Sequence, residues 1–224
     1  MPRVATTYTE DAQTAAYWQF QRQYAELGGE LNRWKFEPYV GDDVVVCDFG
    51  CGVGCLLAGL RAKDRLGVEP NENARADAER RGIRTVANAA DLETSSVDIV
   101  ISNSSLEHAL EPFAELRELH RALRPNGLAA LNVPSTDWRL RSERYPHADD
   151  QNHEFYSWTP QLFWNLLTEA GFKPVSVELR THAWHPRITP RLRWLPRRLY
   201  NLHAWALAAA LKRREVFAVA TKIE

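Results

Sequence analysis

The stretch from Val44 to Leu60, VVVCDFGCGVGCLLAGL, constrains the chain more than any other. A short apolar run ends in an acid, three glycines alternate at Gly50, Gly52 and Gly54, and an apolar helical pattern follows. That order reads as strand, tight loop, helix. Glycines at such a turn open backbone conformations closed to other residues and let a ligand lie against the main chain. A dinucleotide fingerprint needs G-x-G-x-x-G, and counting from Gly50 puts Cys55 where the third glycine belongs. Asp48 at the mouth of the loop would also repel a pyrophosphate. The loop therefore suits a ligand that carries positive charge.

Asp48-Phe49-Gly50-Cys51-Gly52-Val53-Gly54 resembles the first motif of the class I S-adenosylmethionine-dependent methyltransferases, whose ligand has an ammonium and a sulfonium and no phosphate. The likeness continues in register. The run Leu66 to Val68 ends in Glu69-Pro70, at the spacing where nucleotide-binding folds place a carboxylate on the ribose hydroxyls. Ser102 to His108, SNSSLEH, resembles the family's loop after the fourth strand, and Glu118 to Pro134 its helix, turn and fifth strand. One departure lies in VANAADL, where many relatives place an aspartate on the adenine amino group and this chain has Asn88, followed by Ala89. An asparagine carbonyl can still accept that bond. The resemblance thus implies a cofactor site built from Asp48, Gly50, Cys51, Gly52, Gly54, Glu69, Pro70, Asn88, Ala89, Ser102 and Asn103, holding S-adenosyl-L-methionine. It also implies an α/β fold: a doubly wound, seven-stranded, mostly parallel, Rossmann-like sheet with an antiparallel last strand.

Length and composition agree with one methyltransferase domain over residues 1–224, since 224 residues with 45% hydrophobic content can bury a sizeable core. A formal net charge of −1 gives no overall pull toward nucleic acid, and SNSSLEH lacks the Pro-Pro-aromatic motif of amino-directed nucleic-acid methyltransferases. The N-terminus has no apolar signal core and no stretch reaches membrane-spanning length, so a cytoplasmic enzyme is expected. Cys47, Cys51 and Cys55 are read as free thiols of a reducing compartment rather than cluster ligands, because Cys47 falls inside a strand.

Periodicity gives the organisation. A helix over Thr14 to Leu27, closed by Gly28-Gly29, opens an N-terminal helical cap of residues 14–40. Strands are expected at Val44 to Asp48, Arg65 to Glu69, Ile83 to Ala87, Val97 to Ile101 and Leu128 to Val133, with helices from Val53, over Glu72 to Arg81, and from Pro112 with Phe113, Leu116, Leu119 and Leu123 as its apolar stripe. Thr159-Pro160 caps a helix whose stripe is Leu162, Phe163, Leu166 and Leu167 and which Gly171 ends. Lys173 to Leu179 and Val216 to Thr221 are the last strands, separated by a helical insert at 186–214. In that insert Arg187, Arg191, Arg193, Arg197 and Arg198 precede an apolar run and a Lys212-Arg213-Arg214 end, a basic amphipathic pattern suited to an acceptor pocket, a subunit interface or anionic membrane.

Ligands of open α/β sheets lie beyond the carboxyl ends of the strands. The glycine loop, Ser102 to His108, and the long loop from Pro134 to Trp158 should meet there. Methyl transfer to a hydroxyl needs the proton taken away, and His153 is favoured as the base over His108, with Asp149 or Asp150 orienting it. Asp149, Asp150 and His153 show no fixed ligand spacing, so no metal is assigned. The reaction expected is O-methylation of a hydroxyl on a sugar, glycan or other small molecule. A quinol or polyketide-like acceptor is the nearest alternative, and a nicotinamide-dependent oxidoreductase or an inactive binding scaffold are rivals from other classes. The sequence does not give an oligomeric state.

Overall fold

A computed structural model describes residues 22, 24–135, 154–183, 188–192, 194–211 and 213–223. Its centre is a seven-stranded sheet in the order β3-β2-β1-β4-β5-β7-β6. The strands are β1 (Val45–Phe49), β2 (Asp64–Val68), β3 (Arg84–Val86), β4 (Val97–Asn103), β5 (Leu123–Pro134), β6 (Phe172–Arg180) and β7 (Glu215–Lys222). All neighbours from β3 to β5 pair parallel, while β7 runs antiparallel between β5 and β6. The chain leaves β1 toward β2 and β3 on one side and returns to β4 and β5 on the other, which makes the β1/β4 boundary the switch point.

Helices cover both faces: α1 (residues 24–32), α2 (Cys55–Ala58), α3 (Glu72–Glu79), α4 (Pro112–Ala122), α5 (Pro160–Glu169) and α6 (Arg197–Leu211). Alternation along the strands sorts the core into two layers. Cys47, Val100, Leu131 and Ala218 pack with Leu116 and Leu119 of α4 and Phe163 and Leu167 of α5. Val46, Ile101, Ala130 and Phe217 pack on the other face with Phe36, Leu57 and Ala78.

The helix ends follow local chemistry. The Asn71 side chain accepts from Ala74 N at 3.0 Å to start α3, and Thr159 Oγ1 accepts from Leu162 N at 3.2 Å to start α5 with Pro160 at its first position. Three expectations are corrected. The first helix does not stop at Gly28-Gly29 but continues to residue 32. A Cβ on Gly29 would lie 2.8 Å from the Cys55 carbonyl carbon and the Leu56 nitrogen, so this glycine lets α1 touch the α2 backbone instead of ending a helix. The helix after the glycine loop is a single turn, Cys55–Ala58, rather than a longer one from Val53. Phe113 and Leu162 are exposed: the buried stripes are Pro112, Leu116 and Leu119, and Phe163, Leu167 and Ala170, and each exposed residue stands one step of about 100° away.

Candidate functional site

The glycine loop sits between the carboxyl ends of β1 and β2. Gly50 N and Cys51 N both donate to Val68 O, at 2.8 and 3.2 Å, which locks the loop to β2. Gly50, Gly52 and Gly54 all have positive φ, +75°, +54° and +81°, yet their surroundings differ. A Cβ on Gly50 would strike Ser105, and one on Gly54 would strike Ile83 and Ala78. On Gly52 a Cβ meets nothing within 4 Å. Two of the glycines are therefore required by packing, and the middle one borders open space where a ligand can approach the backbone.

Glu69 follows β2 and closes that space from the side. Its carboxylate accepts from Gly52 N at 3.0 Å and Asn71 N at 2.9 Å, one bond to each oxygen, which leaves lone pairs for further donors. Burial raises its pKa while the two backbone donors pull it down. Asp48, inside β1 and only 2% exposed, has a buried Oδ1 with no hydrogen-bond partner among the described residues. Burial pushes its carboxyl well above the usual range, and the Glu69 charge adds to that. This acid lies below the loop rather than at its mouth, and among the described residues it has no counter-charge, which a cationic ligand would supply.

The other candidates fall into two groups. Cys51 points inward, its Sγ where a Gly67 Cβ would be, so only its backbone borders the loop. Its thiol and those of Cys47 and Cys55 are free, and burial raises all three above the ordinary thiol value. Ser102 is fully buried and donates to Phe49 O at 3.0 Å, tying β4 to β1. Asn88 bonds Asp91, whose Oδ2 accepts from the Asn88 backbone N at 3.2 Å and its Nδ2 at 3.0 Å; Ala89 behind it is buried. Pro70 offers its carbonyl to Arg75 at 2.8 Å. Asn103 ends β4 beside Lys35.

The three expected segments do meet where they can be followed. Ser105 lies against Gly50, and Phe155 N donates to Glu107 O at 2.8 Å while Trp158 N donates to Pro134 O at 3.0 Å. Tyr156 Oη adds a bond to Leu110 O at 2.9 Å and stacks on Trp158. His108 stands in the turn Leu106–His108, half-buried. Asp149, Asp150 and His153 lie outside the described residues. The sequence reading missed Lys35, Asn132 and Glu215, which form a buried polar cluster at the same edge of the sheet. Asn132, a polar residue in the apolar strand LAALNVP, was the signal that could have found it.

Residues 15–177 match the methyltransferase domain family. The chain belongs to this family. It is an S-adenosylmethionine-dependent methyltransferase, and the open space over Gly52, the spare lone pairs of Glu69 and the orphaned oxygen of Asp48 fit that cofactor. Glu69 would hold its hydroxyls and Asp48 its positive end, and the bound group supplies the transferable methyl. Among curated proteins, a ubiquinone biosynthesis O-methyltransferase of Ruegeria pomeroyi is 27% identical over 172 residues, covering 67% of this chain and 68% of the relative. Among solved structures, a possible histamine N-methyltransferase of Thermotoga maritima superposes with a TM-score of 0.66 at 18% identity, over 94% of this methyltransferase and 99% of that chain. A Haemonchus contortus enzyme of the phosphoethanolamine N-methyltransferase type, solved with S-adenosylhomocysteine, gives a TM-score of 0.65 at 16% identity; it spans 100% of this methyltransferase and 61% of its own chain. At such identities the two structures establish the shared fold and leave the acceptor open.

The Asp48 environment has a measurable consequence. In the unliganded methyltransferase burial raises the pKa of the Asp48 carboxyl, whereas a cation beside it would favour the anion, so binding is expected to release a proton. A group whose pKa falls on binding makes affinity rise with pH, above the usual aspartate range and up to the raised value of the free protein. Calorimetric titration with S-adenosylmethionine should give different apparent enthalpies in phosphate and Tris, and Asp48→Asn should remove the difference. Equal enthalpies for the parent protein in both buffers would refute the protonated state.

Proposed function

We propose that this methyltransferase transfers the methyl group to a hydroxyl of a small molecule, and that a phenolic or quinol hydroxyl fits better than a sugar. The observation that carries the reading is the similarity to the Ruegeria pomeroyi O-methyltransferase of ubiquinone biosynthesis over two thirds of both chains. A sugar or glycan hydroxyl, the first expectation from the sequence, becomes the second reading, motivated by the polar character of the loop from Pro134 to Trp158. In-line displacement needs the hydroxyl oxygen, methyl carbon and sulfur held collinear while a base takes the proton. His153 is proposed as that base, with Asp149 or Asp150 beside it, in preference to His108. Incubation with labelled S-adenosylmethionine and three acceptors, catechol, a methyl glucoside and histamine, tests the reading. Label on catechol supports it, label on the glucoside selects the sugar, and label on the amine alone overturns O-transfer. With the accepted substrate, His153→Ala should slow single-turnover transfer more than His108→Ala, and the reverse order would move the base to the loop after β4.

The proposed acceptor has a bearing on the basic insert. Residues 187–214 hold eight Lys and Arg and no Asp or Glu, in a chain whose net charge is −1. Within α6, Ala204 and Ala208 face inward and are fully buried, whereas Leu199, Leu202 and Trp205 are 50%, 58% and 55% exposed, with Trp194 at 76% just before the helix. No helix among the described residues is long and apolar enough to cross a membrane. An apolar stripe on a helix whose sequence is flanked at both ends by basic residues is instead the pattern of a helix lying in an anionic lipid surface. Co-sedimentation with phosphatidylglycerol vesicles that weakens with salt is expected, with Trp205→Ser and Leu202→Ser reducing it. Equal recovery with neutral vesicles would count against this role.

A further inference from the structure

Beyond the glycine loop, four adjacent strands carry a polar row along the carboxyl edge of one sheet face. Side chains alternate between faces along a strand, so the face holding Val46, Ile101, Ala130 and Phe217 ends at that edge on Asp48, Asn103, Asn132 and Glu215. The register aligns them: Asn103 lies opposite Asn132, Asn132 opposite Phe217, and Pro134 opposite Glu215. Lys35 reaches over the row from the turn after α1, its Nζ 2.7 Å from Glu215 Oε2 and 3.5 Å from Asn103 Oδ1. Asn132 Nδ2 donates to the same Oε2 at 3.2 Å.

One carboxylate oxygen therefore receives both donors. The other, Glu215 Oε1, is buried with no hydrogen-bond partner among the described residues, and so are Asn132 Oδ1, His182 Nε2 and Trp34 Nε1. The Trp34 and His182 rings stand 5.2 Å apart. An unfilled buried polar atom loses its bonds to water without replacement, and native proteins keep few of them without a reason. An ion pair that anchors the N-terminal segment accounts for Lys35 and Oε2. It does not account for Oε1 or for Asn132 Oδ1. Both oxygens lie at the edge where open α/β sheets bind ligands, on the side of the switch point away from the glycine loop.

The chemistry of the cluster restricts what can fill it. Lys35 and Glu215 offset each other, and burial together with Lys35 pushes His182 down to about 4, so it adds no charge near neutral pH. The Arg180 guanidinium, 3.8 Å over the Phe217 ring, is offset by Glu178, whose Oε2 lies 3.4 Å from it. A neutral ligand is favoured over an anion, and two unfilled acceptors ask for two neighbouring donors.

We propose that Glu215 Oε1 and Asn132 Oδ1 bind a pair of adjacent hydroxyls on a neutral acceptor, making this cluster the hydroxyl-binding end of the acceptor site. The proposal rests on the reading of the chain as an O-methyltransferase. A catechol and a sugar diol share the chemistry, and the test separates them. The protein is saturated with S-adenosylhomocysteine and titrated, by ligand-observed NMR, with catechol, with methyl glucopyranoside and with the fully O-methylated form of each. One diol should bind at least tenfold more tightly than its methylated counterpart, and which one identifies the source. Glu215→Gln and Asn132→Ala should each erase that preference while S-adenosylhomocysteine affinity stays unchanged. The assignment is overturned if neither diol is preferred, or if the preference survives in variants that still bind S-adenosylhomocysteine. It is equally overturned if both variants lose that binding, since the cluster is then structural only. Methylation of a hydroxyl acceptor by the parent protein with an undiminished diol preference in both variants would sink this site and leave O-transfer standing.

Discussion

Gly52→Asn is expected to abolish measurable S-adenosylhomocysteine binding while the protein stays folded. Asparagine tolerates a positive φ better than other residues with a Cβ, and nothing stands within 4 Å of a Cβ at this position. The side chain then occupies the space that the cofactor backbone approach needs. Gly52→Val should lose binding too and lose stability besides, because a β-branched residue is strained at φ +54°. Gly50→Ala and Gly54→Ala should behave differently, reducing folded yield first, since their Cβ atoms collide with Ser105 and with Ile83. Glu69→Ala removes a carboxylate that accepts from Gly52 N and retains capacity for the cofactor hydroxyls. Each charge-assisted bond contributes roughly 1.5–3 kcal/mol, so affinity should fall by about 10- to 150-fold per bond lost. Calorimetry on variants with parent-like circular dichroism reads both effects. Unchanged affinity in Gly52→Asn and Glu69→Ala together would remove this loop from the cofactor site.

Much of this arrangement was legible in the chain because the signals were local. A strand ending in Asp48, alternating glycines and an acid after the next strand lie within 22 residues of one another, and caps such as Asn71 and Thr159-Pro160 act over three. The antiparallel last pair followed from the resemblance, and the sheet reproduces it from Phe172 to Arg180, with one register shift between Pro174 and Ser176. What escaped depended on distance or on approach. Gly29 looked like a helix stop because sequence does not show that Cys55 comes within contact of its α-carbon. Phe113 and Leu162 looked like core because apolarity at nearly the right spacing cannot reveal a rotation of one residue about a helix. The roles of the three glycines were indistinguishable by composition, and only their neighbours separate the one that borders open space from the two held by packing. Lys35 and Glu215 are 180 residues apart, so neither marks the other in the sequence. Lys35 sat unnoticed among the aromatics of NRWKFEPY, and Glu215 looked like the end of a basic run.

That pair carries the second large effect. Lys35→Met should destabilise the protein by about 3–5 kcal/mol, because it leaves Glu215 as a buried charge without its cation. The side chains are only 2% and 13% exposed, so solvent cannot take over the role of the ammonium. For a chain of this size the loss corresponds to a fall in Tm of about 6–20 °C. The effect should be strongly non-additive. Replacing both partners, Lys35→Met with Glu215→Leu, removes the unpaired charge and should restore most of the lost stability, since apolar substitutes for a buried ion pair are often neutral or better. A fall of less than about 2 °C in the single variant would mean that water reaches the pair. The double variant also separates the two roles of the cluster. If the ion pair only anchors the segment after α1 to β7, the restored protein keeps whatever acceptor preference the parent has. If Glu215 also receives an acceptor hydroxyl, the restored protein is stable and binds S-adenosylhomocysteine, yet no longer distinguishes a diol from its methyl ether.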